Sequence, residues 1–281
     1  MSQDDASDIP PAAARLACVV HRGGATFSAS RCVPEETAVA FTFNGSTHAV
    51  MMASPLALED FAVGFALTEG LIDDASEITS LDIAASALGI DVRVWLSDDR
   101  ARAYGERRRS LAGPTGCGLC GIESLEAAMR PAPRVLADGA QFEATAVIAA
   151  MAALAEGQDL HEKTRAVHAA GFWTPAAGLL AVREDVGRHN ALDKLVGALA
   201  RGGTSARDGL IVMTSRVSIE LIQKAARCGA PVLAAISAPT AAAVRLAEAS
   251  NITLVAVARG QDFEIFTHPE RLKVETSRNV A

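Results

Sequence analysis

The 281-residue chain has no basic excess: 26 Lys and Arg stand against 33 Asp and Glu, giving a net charge of −7 and a pI near 5.4. Broad binding of nucleic acid or of an anionic membrane is thereby disfavoured, and any anion site must be local. Long apolar runs are missing too. Ala144 to Ala155 is uncharged and strongly apolar, but its twelve residues fall short of the ~20 that span a bilayer. The first residues, MSQDD, are acidic where an export signal is basic, and no apolar stretch follows before the broken segment Arg15 to Val20, so a cytoplasmic protein is expected. The five cysteines, at 18, 32, 117, 120 and 228, are an odd count that makes no disulfide framework. No internal repeat is visible. What the chain does have is apolar residues, half of it, with about a fifth charged, which excludes disordered and fibrous classes and leaves one large domain or two modest ones.

Residues 1–14, polar and rich in Asp, Ala and Pro, read as a disordered tail. Short β segments follow from Arg15: Glu36 to Phe43 is rich in β-branched and aromatic residues, and Asn44–Gly45 supplies a hairpin turn into Thr47 to Met52. Ser54–Pro55 opens a helix running to Leu71, with Leu58, Phe61, Ala62, Phe65 and Leu67 on its buried face. Leu81 to Ile83 and Ile90 to Leu96 read as strands, and Ser97 to Gly121, mixing Asp, Arg and Gly, as a long mobile loop. Helices are expected at Ile122 to Met129 and Ala144 to Leu154. A hairpin of His168–Trp173 with Gly178–Arg183 then leads into a helix, Arg188 to Leu199. Beyond it, strands at 209–213, 231–236 and 252–257 alternate with helices at 217–227 and 240–249, before a last strand at 263–267. Such alternation predicts parallel strands with crossover helices. The expected class is α/β: a smaller N-terminal β-rich subdomain over 15–121 ending in the mobile loop, and an α/β domain with a mixed sheet and flanking helices over 122–281.

Three core strands end in polar groups: Thr214–Ser215–Arg216, Ser237–Ala238–Pro239–Thr240 and Arg259–Gly260–Gln261. Parallel strands put their carboxyl ends on one edge, so these loops should converge. Two of them open helices, whose free N–H groups and dipole favour an anion, and Arg216 and Arg259 can clamp phosphate with a planar fork. The plainer reading is that Ser215 and Thr240 cap helices while the arginines sit in solvent. The segment Arg183 to Lys194 crowds hydrogen-bonding residues into one strand-to-helix junction, where His189 meets Asp193, and Asn190 meets Lys194, at i, i+4. Gly187 with Arg188 and His189 makes a second candidate anion cradle; a solvated helix face is the plainer alternative.

Cys117-x-x-Cys120 is the sharpest feature, since two thiols at this spacing can share a metal, form a redox disulfide, or hold and release sulfur. Zinc wants at least three protein ligands, and neither a second CxxC nor His-x₃₋₅-His supplies them, so no metal site is expected. Gly116, Gly118 and Gly121 around the pair favour a thiol that travels between partners, and Arg107, Arg108 and Arg109 upstream would favour the thiolate, a solvated loop being the plainer alternative for that run. Cys18 reads as a buried apolar residue and Cys228, before Gly229, as the end of a helix.

Taken together, the segments 115–121 (TGCGLCG), 183–194 (REDVGRHNALDK), 215–218 (SRVS), 237–240 (SAPT) and 258–260 (ARG) closely resemble the FdhD family of formate dehydrogenase accessory sulfurtransferases, with the likeness running from about Arg15 to Leu272. The resemblance implies a cytoplasmic homodimer with a cytidine-deaminase-like core. It also implies an activity: sulfur is accepted as a persulfide from a cysteine desulfurase and passed to the bis(molybdopterin guanine dinucleotide) molybdenum cofactor before insertion into the catalytic subunit of formate dehydrogenase. Cys117 would then bear the persulfide, with Cys120 its helper. The cofactor would be bound as substrate by Val257, Ala258, Arg259, Gly260, Gln261 and Asp262, with Arg216, Ser237, Thr240, Arg188, His189 and His168, and GDP would mimic its nucleotide end. Deaminase chemistry itself is not expected, because His168 is followed by Ala169–Ala170 where a zinc deaminase has His-x-Glu, and Gly116 replaces the Pro before its first Cys. One departure concerns the approach to His168, which reads Thr164–Arg165–Ala166–Val167 where the family carries Thr-Gly-Gly-like residues.

Overall fold

The computed structural model describes residues 9–111, 132–136 and 140–273. Its strands are β1 (Ala13–Arg22), β2 (Ala25–Pro34), β3 (Thr37–Phe43), β4 (Ser46–Ala53), β5 (Ile78–Ser86), β6 (Gly89–Leu96), β7 (Phe142–Glu143), β8 (His168–Thr174), β9 (Gly178–Asp185), β10 (Leu210–Met213), β11 (Val232–Ala235), β12 (Thr253–Arg259), β13 (Asp262–Ile265) and β14 (Leu272–Lys273). The helices are α1 (Leu58–Thr68), α2 (Asp98–Leu111), α3 (Ala144–Glu156), α4 (Asp159–Thr164), α5 (Arg188–Arg201), α6 (Ile219–Cys228) and α7 (Ala241–Ala249). Contacts divide the chain into two units, the first holding residues 9–111, 159–168 and 184–202 and the second most of the remainder. The segments 159–168 and 184–202 thus pack with the N-terminal part, where a division at residue 121 would assign them to the C-terminal domain.

In the first unit, β1 and β2 form a two-stranded antiparallel ribbon turned by Gly23 and Gly24. The strand already starts at Ala13, inside the stretch expected to be disordered, because the Glu35 N–H to Ala12 carbonyl bond extends the ladder; residues 1–8 lie outside the described set. Cys18 is only half-buried here, not the core residue expected, with Leu16 55% and Val19 71% exposed. A lone ribbon has no closed core to offer it.

A four-stranded sheet of order β4-β3-β6-β5 follows. The β3–β4 hairpin turns through Asn44 and Gly45, both at positive φ, as the Asn-Gly pair predicts. Val39, Phe41, Phe43, Val92 and Val94 point to one face and are fully buried. On that face α1 sets Phe61 and Phe65 against Phe41, with ring centroids 4.8 and 4.5 Å apart, contacts each worth about 0.5–1.5 kcal/mol beyond area burial. This helix begins at Leu58 rather than beside Pro55, since Ala57 takes the left-handed conformation at φ 50. It crosses α5 with backbones in contact: a Cβ on Gly64 would stand 1.7 Å from the Asp193 carbonyl oxygen, and one on Gly197 1.8 Å from that of Asp60.

The segment expected to be a mobile loop is helical as far as Leu111. Asp98 and Asp99 in the first turn complement the helix dipole, Ala and Arg are good helix formers, and Tyr104, 6% exposed, anchors the helix against Phe43. The side chains of Arg107, Arg108 and Arg109 lie outside the described residues, as do the helix expected at 122–129 and the cysteine pair.

The second unit is built on a six-stranded sheet of order β13-β12-β11-β10-β8-β9. β10, β11 and β12 are parallel, from Leu210↔Val232 and Val232↔Thr253 onward, while β8 and β13 pair antiparallel to their neighbours. The parallel strands are buried along most of their length, which is why they read in sequence as continuous apolar runs. Val147, Ala150 and Leu154 of α3 pack on Val212, Ala234 and Val255. Helix α6 starts at Ile219, two residues later than expected, because Val217 is held in a parallel bridge with Pro239. It ends, as expected, at Cys228 before the left-handed Gly229, and burial pushes that thiol up to about 12, so it is unreactive. Among the described residues no helix is long and apolar enough to cross a membrane.

Candidate functional site

In the second unit the three polar strand ends are brought together. Val217 bridges Pro239, the Thr240 N–H donates to the Val217 carbonyl, and the Ile236 N–H donates to that of Met213, which ties the loop after β10 to the loop after β11. Arg259 Nε donates to the Ile236 carbonyl at 3.1 Å, and the Val257 N–H reaches the Ser237 carbonyl, which ties in the end of β12. Arg216, Thr240, Arg259, Gly260, Gln261 and Asp262 are exposed and Ser237 is half-buried. Ala258, 2% exposed, faces the core, so only its backbone could meet a ligand. Thr240 caps α7, its Oγ1 accepting from the Ala243 N–H, whereas Ser215 is buried and donates to the Arg216 carbonyl, so it caps nothing. Val257 has φ 53 at a break in the β12–β13 register, a conformation that costs a β-branched residue on the order of 1–3 kcal/mol. The strain sits beside the two-residue turn Gly260–Gln261 that presents Arg259.

The junction in the first unit is arranged differently from expectation. Asn190 and Lys194 do not pair with each other; both bind Asp185, the fully buried residue that closes β9. Asp185 Oδ1 accepts from the Gly187 N–H at 2.7 Å and from Asn190 Nδ2 at 2.9 Å. Its Oδ2 accepts from the Ser54 N–H at 3.0 Å and from Lys194 Nζ at 2.6 Å. Lys194, also fully buried, donates to the Ser54 carbonyl and lies 5.2 Å from the centre of the Phe61 ring. Asp193 accepts from Thr68 Oγ1 at 2.6 Å. The polar face of α5 is therefore interior rather than solvated. The role of Ser54 in the clasp had no local signal, since its partners there, Asp185 and Lys194, lie 131 and 140 residues away.

Arg188 and His189, half-buried in the first turn of α5, follow this clasp. Gly187 is the N-cap and offers no side-chain cap, and Arg188 Nε is buried without a hydrogen-bond partner among the described residues. His168 lies within electrostatic reach of Arg188, His161 and Asp185. Burial holds its pKa below the usual histidine range, Arg188 and His161 act in the same direction, and Asp185 partly opposes them, so the neutral imidazole is favoured. The departure before His168 has a structural counterpart: Arg165 stands at φ 57, where glycine would sit without strain. Cys117 and Cys120 lie outside the described residues, and among those described no group of three or more His, Cys, Asp or Glu could hold a metal ion.

Comparison with known proteins bears on this arrangement. Sulfur carrier protein FdhD from Agrobacterium fabrum is 54% identical over 258 residues, 92% of this chain and 95% of that protein. The protein of the same name from Brucella abortus is 52% identical over 254 residues, 90% and 94% of the two chains. A crystal structure described as a formate dehydrogenase accessory protein from Desulfotalea psychrophila matches with a TM-score of 0.73 and 26% identity, covering 94% of this chain and all of that one. The model of the FdhD/NarQ family matches residues 34–273, and the chain belongs to that family.

Proposed function

We propose that this protein is a sulfurtransferase for formate dehydrogenase maturation: it takes sulfur from a cysteine desulfurase on Cys117 and delivers it to the bis(molybdopterin guanine dinucleotide) molybdenum cofactor. The observation that carries the reading is the convergence of Arg216, Thr240 and Arg259 on one edge of a parallel sheet, in a chain whose relatives are named sulfur carriers. Exposed guanidinium forks beside the N-terminus of α7 suit the phosphates of a guanine dinucleotide. Residues 257–262 would enclose its nucleotide end, with GDP as a mimic, and Ser237 would line the same edge. The buried Nε of Arg188, without a partner among the described residues, fits an anionic partner too, with His189 next in the chain and His168 within electrostatic reach.

In the transfer step the Cys117 thiolate attacks the outer sulfur of the desulfurase persulfide. One S–S bond forms as the other breaks, the desulfurase cysteine leaves as thiolate, and no net oxidation occurs. Cys120 assists, and no metal of the protein's own is needed. Strand β8, antiparallel to β10 at the side of three parallel strands and followed in the sheet by β9, supports a cytidine-deaminase-like core, and a cytoplasmic homodimer working with desulfurase and dehydrogenase catalytic subunit completes the reading. The test is desulfurase-driven loading of single cysteine variants read by intact mass. An adduct of about 32 Da should vanish in Cys117→Ala and persist at least in part in Cys120→Ala. The reverse pattern would exchange the two roles, and no adduct on either cysteine of the wild type would refute sulfur transfer.

A further inference from the structure

We infer that the buried Asp185–Lys194 pair is a positioning device that fixes Arg188 for its ligand. The inference rests on the reading that Arg188 meets a phosphate. Stability alone gives no reason for this pair, because apolar residues of equal size in place of a buried ion pair are often neutral or stabilising. Its geometry does. One carboxylate clasps three separate parts of the chain: the Gly187 N–H in the turn, Asn190 and Lys194 on α5, and the Ser54 N–H between β4 and α1. Asn190 is clasped a second time by the Met52 carbonyl at 2.9 Å, and the Val186 N–H is held by Ser54 Oγ at 3.2 Å. Arg188 therefore sits between two residues, Gly187 and Asn190, that donate to the same carboxylate oxygen. Its backbone is fixed on both sides while its Nε has no partner among the described residues. A ligand then finds the donor already placed and is spared the entropy of ordering it.

Isothermal calorimetry with pyrophosphate at low temperature tests this, in an Arg216→Ala/Arg259→Ala background that silences the strand ends of the second unit, on variants shown to be folded by circular dichroism. Asp185→Ala/Lys194→Met removes the clasp without stranding a charge and should weaken pyrophosphate binding about tenfold. Asp185→Asn/Lys194→Met returns an acceptor to Gly187 and Asn190 and should recover most of that loss, a rescue that charge alone could not produce. Should the first double variant fail to fold, Asn190→Ala, which opens only one clasp, should still cost about threefold. Affinity unchanged from that background in the folded Ala/Met variant, or in Asn190→Ala where that is the usable one, overturns the inference. Arg188→Ala separates the two levels. If it weakens binding while the clasp variants do not, the phosphate reading stands and the positioning role falls; if it leaves pyrophosphate binding unchanged, both fall.

Discussion

In the first unit the junction after β9 is held from within by side chains, with Asp185 and Lys194 fully buried and every oxygen of the carboxylate engaged. The ends of β10, β11 and β12 in the second unit are held mainly by backbone bonds, with one side-chain bond from Arg259 Nε to the Ile236 carbonyl, and their charged side chains, Arg216 and Arg259, are exposed. Both regions read in sequence as polar, charge-bearing turns before a helix. A charged residue in such a turn can serve by holding the backbone or by meeting a ligand, and burial distinguishes the two. In the first region stability should respond, with affinity following through Arg188, whereas in the second affinity should respond with little change in stability.

The largest effect is expected from Asp185→Ala alone, which leaves the Lys194 ammonium buried and unpaired; chemical denaturation should show a loss of about 3–5 kcal/mol. A midpoint unchanged from wild type would break the comparison at its first half. Next comes Arg259→Ala. It should lower GDP affinity by about 1.5–3 kcal/mol, roughly ten- to a hundredfold, with stability within about 0.5 kcal/mol of wild type. Calorimetry and thermal melts together would show whether that split is real. Thr240→Ala removes the side-chain cap of α7 and should cost about 1 kcal/mol of stability in the second unit, a measure of how little its junctions lean on side chains.

The smallest effect concerns His168. Its pKa is depressed in the folded protein, so as pH falls the unfolded chain takes up the proton first, and stability is lost as pH drops below the ordinary histidine value. His168→Gln should remove that part of the loss between about pH 7.5 and 5.5, visible as a smaller shift of its denaturation midpoint than wild type shows.

The parallel strands of the second unit were legible because burial on both faces leaves an uninterrupted apolar run, and the Asn44–Gly45 hairpin because its turn chemistry is local. Helix α2 was not legible, since its charges and Gly105 resemble a loop until Tyr104 is seen anchoring it on Phe43. The face of α5 misled for another reason. Spacing along a helix pairs Asn190 with Lys194, but a carboxylate from the preceding strand offers both a buried acceptor, and a spacing rule sees only the helix's own residues. The edge of the sheet followed from topology, while the strain at Val257 and the buried Arg188 nitrogen depend on packing that sequence does not display.

The crossing of α1 and α5 carries a consequence for how the first unit can be altered. A clash between two side chains can be relieved by shortening either one. At Gly64 and Gly197 the obstacle is a main-chain carbonyl, which every residue carries, so no change of residue type in the opposite helix makes room. The same contact works as a dovetail. If α1 slid along α5 by a turn, Asp60 or Thr68 would arrive where only hydrogen fits, so the two glycines fix the axial register of the helix pair and, through it, the level at which Lys194 meets Ser54.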